Sequence, residues 1–179
     1  MTSLLVVDTE TGGLDPSIHA IASVGLVAPW GNLHLRVADT RGSWDPRALE
    51  VNGIDPEQHL SSSHLPSVVT ENVATFLEGY SKELHGRLYL AGHNVAFDIG
   101  FLHRLYDLAD EDPPRIFQHH RTVDTHSILW AEFMRGELPY EATNSSGAFE
   151  HFGIEVKGRH TALGDALATK ELLERLIES

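Results

Sequence analysis

Apolar runs and their spacing divide the chain into short strands at the start and a strand–helix alternation after them. Residues 3–7 form an apolar run that meets its first charge at Asp8, the pattern of a buried strand. Two further runs, 20–27 and 33–37, flank Ala28-Pro29-Trp30-Gly31-Asn32, whose turn chemistry predicts a hairpin. Residues 42–65 show no period and carry Pro46, Pro56 and three consecutive serines, so they read as irregular. From Ser67 to about residue 84, the positions Val68, Val69, Val73, Phe76, Leu77 and Tyr80 recur at helical spacing, with Ser67 as N-cap.

The alternation continues with a strand over 88–91 and a helix over 97–108 that turns Ile99, Phe101, Leu102 and Leu105 inward. After a break at 110–114, a short strand near Thr122 and Val123 leads into a helix over about 125–135, capped by Asp124. A short helix over 145–152 stops at Gly153, and a last helix covers about 161–177. Three early strands followed by alternating strands and helices predict a three-layer α/β fold, here a single domain over 1–179.

Composition narrows the function. The 179 residues are enough to bury a core, and the lack of cysteine excludes disulfides and thiolate metal sites. The N-terminal run has no basic region ahead of it, and no apolar stretch approaches the roughly 20 residues of a membrane helix. The expectation is a soluble, cytoplasmic protein with no membrane partner. Lys and Arg total 13 against 26 Asp and Glu, a formal charge of −13, so the basic stripe of a long-duplex binder is missing.

Three segments carry chemistry. In Val7-Asp8-Thr9-Glu10-Thr11-Gly12-Gly13-Leu14, residues two apart share a strand face, so Asp8 and Glu10 present two carboxylates side by side. Alone, a strand end with a polar turn accounts for them. In Gly92-His93-Asn94-Val95-Ala96-Phe97-Asp98, the acid falls at a helix start, where favouring the helix dipole is sufficient reason for it. In Arg159-His160-Thr161-Ala162-Leu163-Gly164-Asp165, Thr161 as N-cap puts His160 on the loop ahead and Asp165 on the first turns. With 12 histidines in the chain, any one of them is ordinarily a surface residue.

The order and spacing of the three segments resemble the exonuclease motifs of the DEDD superfamily, in the branch whose third motif carries histidine (DEDDh). That branch includes ribonuclease T and the proofreading epsilon subunit of bacterial DNA polymerase III. The resemblance runs from Leu4 to Leu173, with subsidiary matches at Val51-Asn52-Gly53-Ile54-Asp55-Pro56 and Val123-Asp124-Thr125. It implies a ribonuclease H-like fold, with a mixed central sheet flanked by helices, and two divalent cations, Mg²⁺ or Mn²⁺. By position it makes Asp8, Glu10, Asp98 and Asp165 the metal-site acids, Asp98 acting largely through water, and His160 the general base. Asp124 is read as a helix cap. The implied activity is 3′→5′ removal of nucleoside 5′-monophosphates from single-stranded DNA or RNA.

Independent physics agrees with that set. Four packed carboxylates raise one another's pKa values unless cations compensate, and all-oxygen ligands favour Mg²⁺ or Mn²⁺. Imidazole ordinarily titrates near pH 6.5 (about), within reach of a base role at neutral pH. An acidic chain can hold a strand end through bridging cations. Thr11, Gly12, Gly13, Leu14, Asn94 and Phe97 match the segments that meet the terminal nucleotide, glycine permitting close approach. Ribonuclease T-like proteins place an aromatic where this chain has Leu14.

Three other readings compete. A catalytically dead module that binds nucleic-acid ends or a polymerase would need none of the five catalytic residue types. A proofreading subunit would carry a polymerase-binding region beyond the last helix, so a stand-alone enzyme is expected, with polymerase association not indicated and homodimerisation left open. A metal domain built on His119-His120 is disfavoured because adjacent residues rarely converge on one ion.

Overall fold

The computed structural model describes residues 3–83, 88–118 and 121–178. Five strands form one mixed sheet in the order β3-β2-β1-β4-β5. Strand β1 (Ser3–Thr11) is central, antiparallel to β2 (Ile21–Ala28) and parallel to β4 (Leu88–Gly92). Strand β3 (Gly31–Arg36) completes the hairpin with β2 across Pro29-Trp30, and β5 (Thr122–Asp124) adds in parallel to β4.

Alternation along β1 assigns its side chains to two layers. Leu5 and Val7 join Val69, Val73, Phe101, Leu102 and Leu105 in the core under α3 (Pro66–Glu83) and α4 (Val95–Ala109). Val6 faces the other way, toward Ala166 and Leu173 of α7 (Ala162–Glu178). A smaller cluster, including Leu129, Phe149 and Leu172, joins α7 to α5 (Thr125–Met134) and α6 (Ser145–His151). This is the three-layer α/β arrangement that the pattern predicts.

Two local expectations fail for identifiable reasons. Residues 42–65 are not irregular throughout but contain α1 (Pro46–Asn52) and α2 (Pro56–Ser61). Both begin with an Asp-Pro pair. Asp45 accepts from the Arg47 N–H and Asp55 from the Gln58 N–H, while each proline stands where a helix has no use for its missing donor. Gly53, in the left-handed region at φ 65°, ends α1. Ser67, expected as an N-cap, lies inside α3, which starts at Pro66 with the Val68 and Val69 N–H groups donating to the Leu65 carbonyl. Strand β1 also runs past Asp8 to Thr11, because Thr9 and Thr11 are buried β-branched residues that continue the ladder with β2. His119 and His120 lie outside the described residues.

One buried ion pair fastens the loops around the C-terminal end of β1. Asp39, fully buried, accepts from the Ile21, Arg41 and Gly42 backbone N–H groups. Its remaining capacity takes the Arg104 guanidinium, with Nε 2.6 Å from Oδ2, and Arg104 Nη1 donates to the Pro16 carbonyl at 2.9 Å. Helix α4, the start of β2 and the loop after β1 are thereby tied to one carboxylate. Removing one partner strands a buried charge and three backbone donors. Asp39→Ala should therefore cost about 3–5 kcal/mol in urea unfolding; a loss below about 1 kcal/mol would show that the loops hold without it.

Candidate active site

Strand geometry explains how the acids meet. Asp8 and Glu10 share the Val6 face of β1 and so look toward α7, which supplies Asp165 from its first turn. One oxygen from each of Asp8, Glu10 and Asp165 lies within 4.8 Å of the others. Glycine at position 25 makes this approach workable. Gly25 pairs with Asp8 across the ladder, and a Cβ there would stand 2.3 Å from the Ala162 carbonyl carbon and oxygen. The missing side chain thus lets the start of α7 sit down on the sheet. Gly164 lets the loop ahead of α7 fold back on the helix, since a Cβ there would stand 2.2 Å from the Gly158 oxygen.

Asp98 arrives from the opposite layer. It is buried in the first turn of α4, and its Oδ1 accepts from the Thr9 hydroxyl at 2.8 Å. The odd-numbered face of β1 therefore positions the fourth acid, while the even-numbered face bears the first two. The three acids whose oxygens converge are Asp8, Glu10 and Asp165, and Asp98, expected to act on the metal site largely through water, is held apart from them by its bond to Thr9.

His160 stands on the turn ahead of α7, exposed, with a left-handed backbone at φ 60°. Its N–H donates to Asp165 Oδ2 at 3.2 Å. Thr161 caps the helix as the sequence predicts, its hydroxyl accepting from the Gly164 N–H at 3.1 Å. Next to it, Arg159 brings a guanidinium 2.6 Å from Asp165 Oδ1. That buried oxygen has no other partner among the described residues, so the guanidinium is what offsets its charge.

Crowding and burial set the charge state. Burial pushes Asp8 well above the usual carboxylate range, and the charges of Asp98, Asp165 and Glu10 push further, while Arg159 pulls the other way. Glu10 rises to about 7 through burial and then the Asp165 charge. Burial likewise takes Asp98 to about 7, against the opposing hydrogen bond from Thr9. His93, behind the site, falls to about 4 through burial and then its contact with His126. Hard oxygen donors held close together and needing positive charge fit a divalent cation.

Beside Glu10 opens a cleft of about 380 Å³, to which Thr11, Gly13, Leu14 and Phe97 contribute. Leu14 is 84% exposed at its rim. Gly12 does not line the cleft; a Cβ on it would meet the Ser43 carbonyl at 2.6 Å, and one on Gly13 would meet the His19 ring at 2.5 Å. The room these glycines leave is occupied by the protein's own loop. Asn94 also lies away from the cleft; in the left-handed region at φ 57°, its N–H donates to Asp124 Oδ1 at 2.8 Å. Asp124 in addition caps α5 through the His126 N–H.

The far wall of the cleft was not anticipated. It is α1, which contributes Arg47, Ala48, Val51 and Asn52, with Asp45 at its cap. The Asn52 side-chain amide donates to the Thr11 carbonyl at 3.0 Å, fixing that wall to the catalytic strand. The signal available in the sequence was the pair Asp45-Pro46, together with the motif match beginning at Val51.

A mixed sheet with acids converging at the end of its central strand, covered by helices on both faces, defines a ribonuclease H-like nuclease domain. The chain belongs to the exonuclease family of ribonuclease T type, whose profile matches residues 5–173, and within it to the DEDDh branch. It is 30% identical to the PolC-type DNA polymerase III of Latilactobacillus sakei, over 96% of this chain but 11% of that protein. It is 29% identical to the DNA polymerase III epsilon subunit of Rickettsia conorii, covering 99% and 75% of the two chains. It is 26% identical to ribonuclease T of Shewanella sp. (strain ANA-3), covering 97% and 81%. Among solved structures, E. coli exonuclease I in complex with a dT13 oligonucleotide superposes with TM-score 0.73 at 17% identity, over 99% of this chain and 41% of that one. The nuclease domain of 3′hExo, a DEDDh family member bound to rAMP, gives 0.75 at 16% identity over 98% and 92%. Among the described residues no helix is long and apolar enough to cross a membrane.

The raised carboxyls make a sign-specific prediction for metal-free protein. Unfolded carboxyls titrate near pH 4 (about), so the folded state binds protons more tightly, and the stability this gives is present below about pH 4. It is lost as pH rises through the folded value of about 7 for Glu10. In EDTA, Glu10→Gln should therefore gain on the wild type in thermal midpoint between those limits, by several degrees at pH 8. Saturating Mg²⁺ should erase or reverse the gain. A midpoint difference that stays flat with pH would remove Glu10 from the strained cluster.

Proposed function

We propose that this chain acts as one exonuclease domain, removing nucleotides from the 3′ ends of single-stranded DNA or RNA with two divalent cations, Mg²⁺ or Mn²⁺. The observation that carries this reading is the convergence of Asp8, Glu10 and Asp165 beside a cleft with an apolar rim. The exonuclease I and 3′hExo complexes, with oligonucleotide and rAMP respectively, support an end-binding use of the same architecture.

Each residue then has a part. Asp8, Glu10 and Asp165 hold the cations, and Thr9 fixes Asp98 behind them. Bound there, such cations would offset the carboxylate charge and stabilise the charge developing on the phosphate oxygens. His160 swings in from its turn to take a proton from the attacking water. A new bond forms from water oxygen to phosphorus, the bond from phosphorus to the 3′-oxygen of the shortened strand breaks, and a nucleoside 5′-monophosphate leaves. The terminal base rests between Leu14, Val51 and Phe97, whose apolar surfaces suit a flat ring.

A time course on 5′-labelled single-stranded DNA and RNA should give ladders that shorten from the 3′ end with Mg²⁺ or Mn²⁺ and stop in excess EDTA. Shortening from the 5′ end, or full activity in EDTA, would overturn the reading. Binding without turnover on any substrate would make the chain an end-binding module instead.

The histidine's part is tested separately. His160→Ala should lower turnover roughly 100- to 10,000-fold, the range for a positioned base, with Mn²⁺ affinity nearly unchanged. Near wild-type turnover would rule out the base role. Lost metal binding would make His160 part of the metal site.

A further inference from the structure

The residue just before the histidine has no assigned part, yet it makes the closest charged contact in the site. Arg159 Nη1 lies 2.6 Å from Asp165 Oδ1, one of the three acids that converge. Its Nη2 donates to the Ser146 hydroxyl at 2.9 Å and reaches the Ser145 hydroxyl at 3.4 Å. Its guanidinium carbon sits 5.6 Å from the centre of the Phe149 ring. The side chain therefore has one charged partner, Asp165, and three neutral ones on α6.

We propose that Arg159 is a built-in counter-ion that competes with the divalent cation for Asp165. The proposal rests on the metal-site reading above and adds a two-position arginine to it. Asp165 Oδ1 is held by the guanidinium and Oδ2 by the His160 backbone N–H, so a cation shared with Asp8 and Glu10 meets Arg159 at the same carboxylate. A hard cation at about 2.0–2.6 Å from that carboxylate draws on the same negative charge and repels the guanidinium beside it. An arginine guanidinium cannot yield by giving up its charge. It yields by moving. Ser145, Ser146 and Phe149 are uncharged anchors that retain the guanidinium once Asp165 is given up, so release requires a shift of one side chain and no rearrangement of α7.

In the metal-free protein the pair offsets part of the repulsion among Asp8, Glu10 and Asp165. In the loaded protein its absence from Asp165 leaves a cation poised over α6, next to the ions. The arrangement trades metal affinity for integrity of the empty site.

Mn²⁺ titration calorimetry and thermal midpoints in EDTA test this on wild type, Arg159→Gln, Arg159→Lys and, as a control for charge alone, Lys157→Gln. Lys157 is exposed two residues away, and its side chain makes no ion pair among the described residues. Arg159→Gln should bind Mn²⁺ roughly two- to fivefold tighter, the range of one partly exposed ion pair, and melt several degrees lower in EDTA. Arg159→Lys should fall between it and wild type on both readouts, and decides the matter should the glutamine variant not fold without metal. Unchanged or weaker Mn²⁺ binding by the folded variant overturns the proposal, as does equal tightening by Lys157→Gln. A wild type that binds no divalent cation at all would overturn the metal-site reading itself, a result distinct from wild-type binding that Arg159→Gln leaves unaltered.

Discussion

Carboxylates placed within a few ångströms of one another under protein repel, and each also resists leaving water. Asp8, Glu10 and Asp165 are placed in this way, with the charge of Asp98 adding to theirs, and much of the surrounding chain is arranged to permit it. Two acids come from one face of a central strand, which hydrogen bonds on both sides and cannot shift to relieve the strain. A third is delivered by a helix that the glycine at 25 lets down onto the sheet. The fourth is held by a threonine from the other face. Neutralising this repulsion is what makes the site responsive to cations, internal or bound.

The same strand thus separates two tasks by parity. Even positions of β1 carry ionisable groups toward α7, and odd positions continue the core until Thr9, which turns core packing into a hydrogen bond to Asp98. A slip of one residue in register would exchange the two sets and bury Asp8 and Glu10 in the α4 core. The register is pinned by the hairpin with β2 and by the Asp39–Arg104 tie at its far end, so stability of the fold and accuracy of the site rest on shared contacts.

How much of this could be read from the chain depended on whether the cause was local. The apolar runs of β1, β2 and β4 and the helical spacing of Phe101, Leu102 and Leu105 announced themselves, because periodicity is a property of neighbours. So did the Asp124 and Thr161 caps. The two short helices after residue 45 carry no apolar period, and Asp45-Pro46 and Asp55-Pro56 mark their starts only where proline is a first-turn residue and not a breaker. Motif order brought out the five candidate residues, but not the layer from which Asp98 comes. Gly12 and Gly13 were legible as necessary, yet the atoms that require them, on Ser43 and His19, are distant or unremarkable in sequence. Gly25 and Arg159 depend wholly on contacts between separate elements, which no window of sequence contains.

The wall formed by α1 is built unlike the rest of the cleft. None of its seven residues is buried, and Val51 is 63% exposed. It is attached through the Asn52 amide to the Thr11 carbonyl and through the Asp45 N–H to the Gly12 carbonyl. Substitutions on such a surface ordinarily change stability by no more than about 0.5 kcal/mol. Positions 47, 48 and 51 can therefore change with little cost to the fold while the acids opposite stay fixed, so the shape of this cleft is separable from the strain that the acids impose.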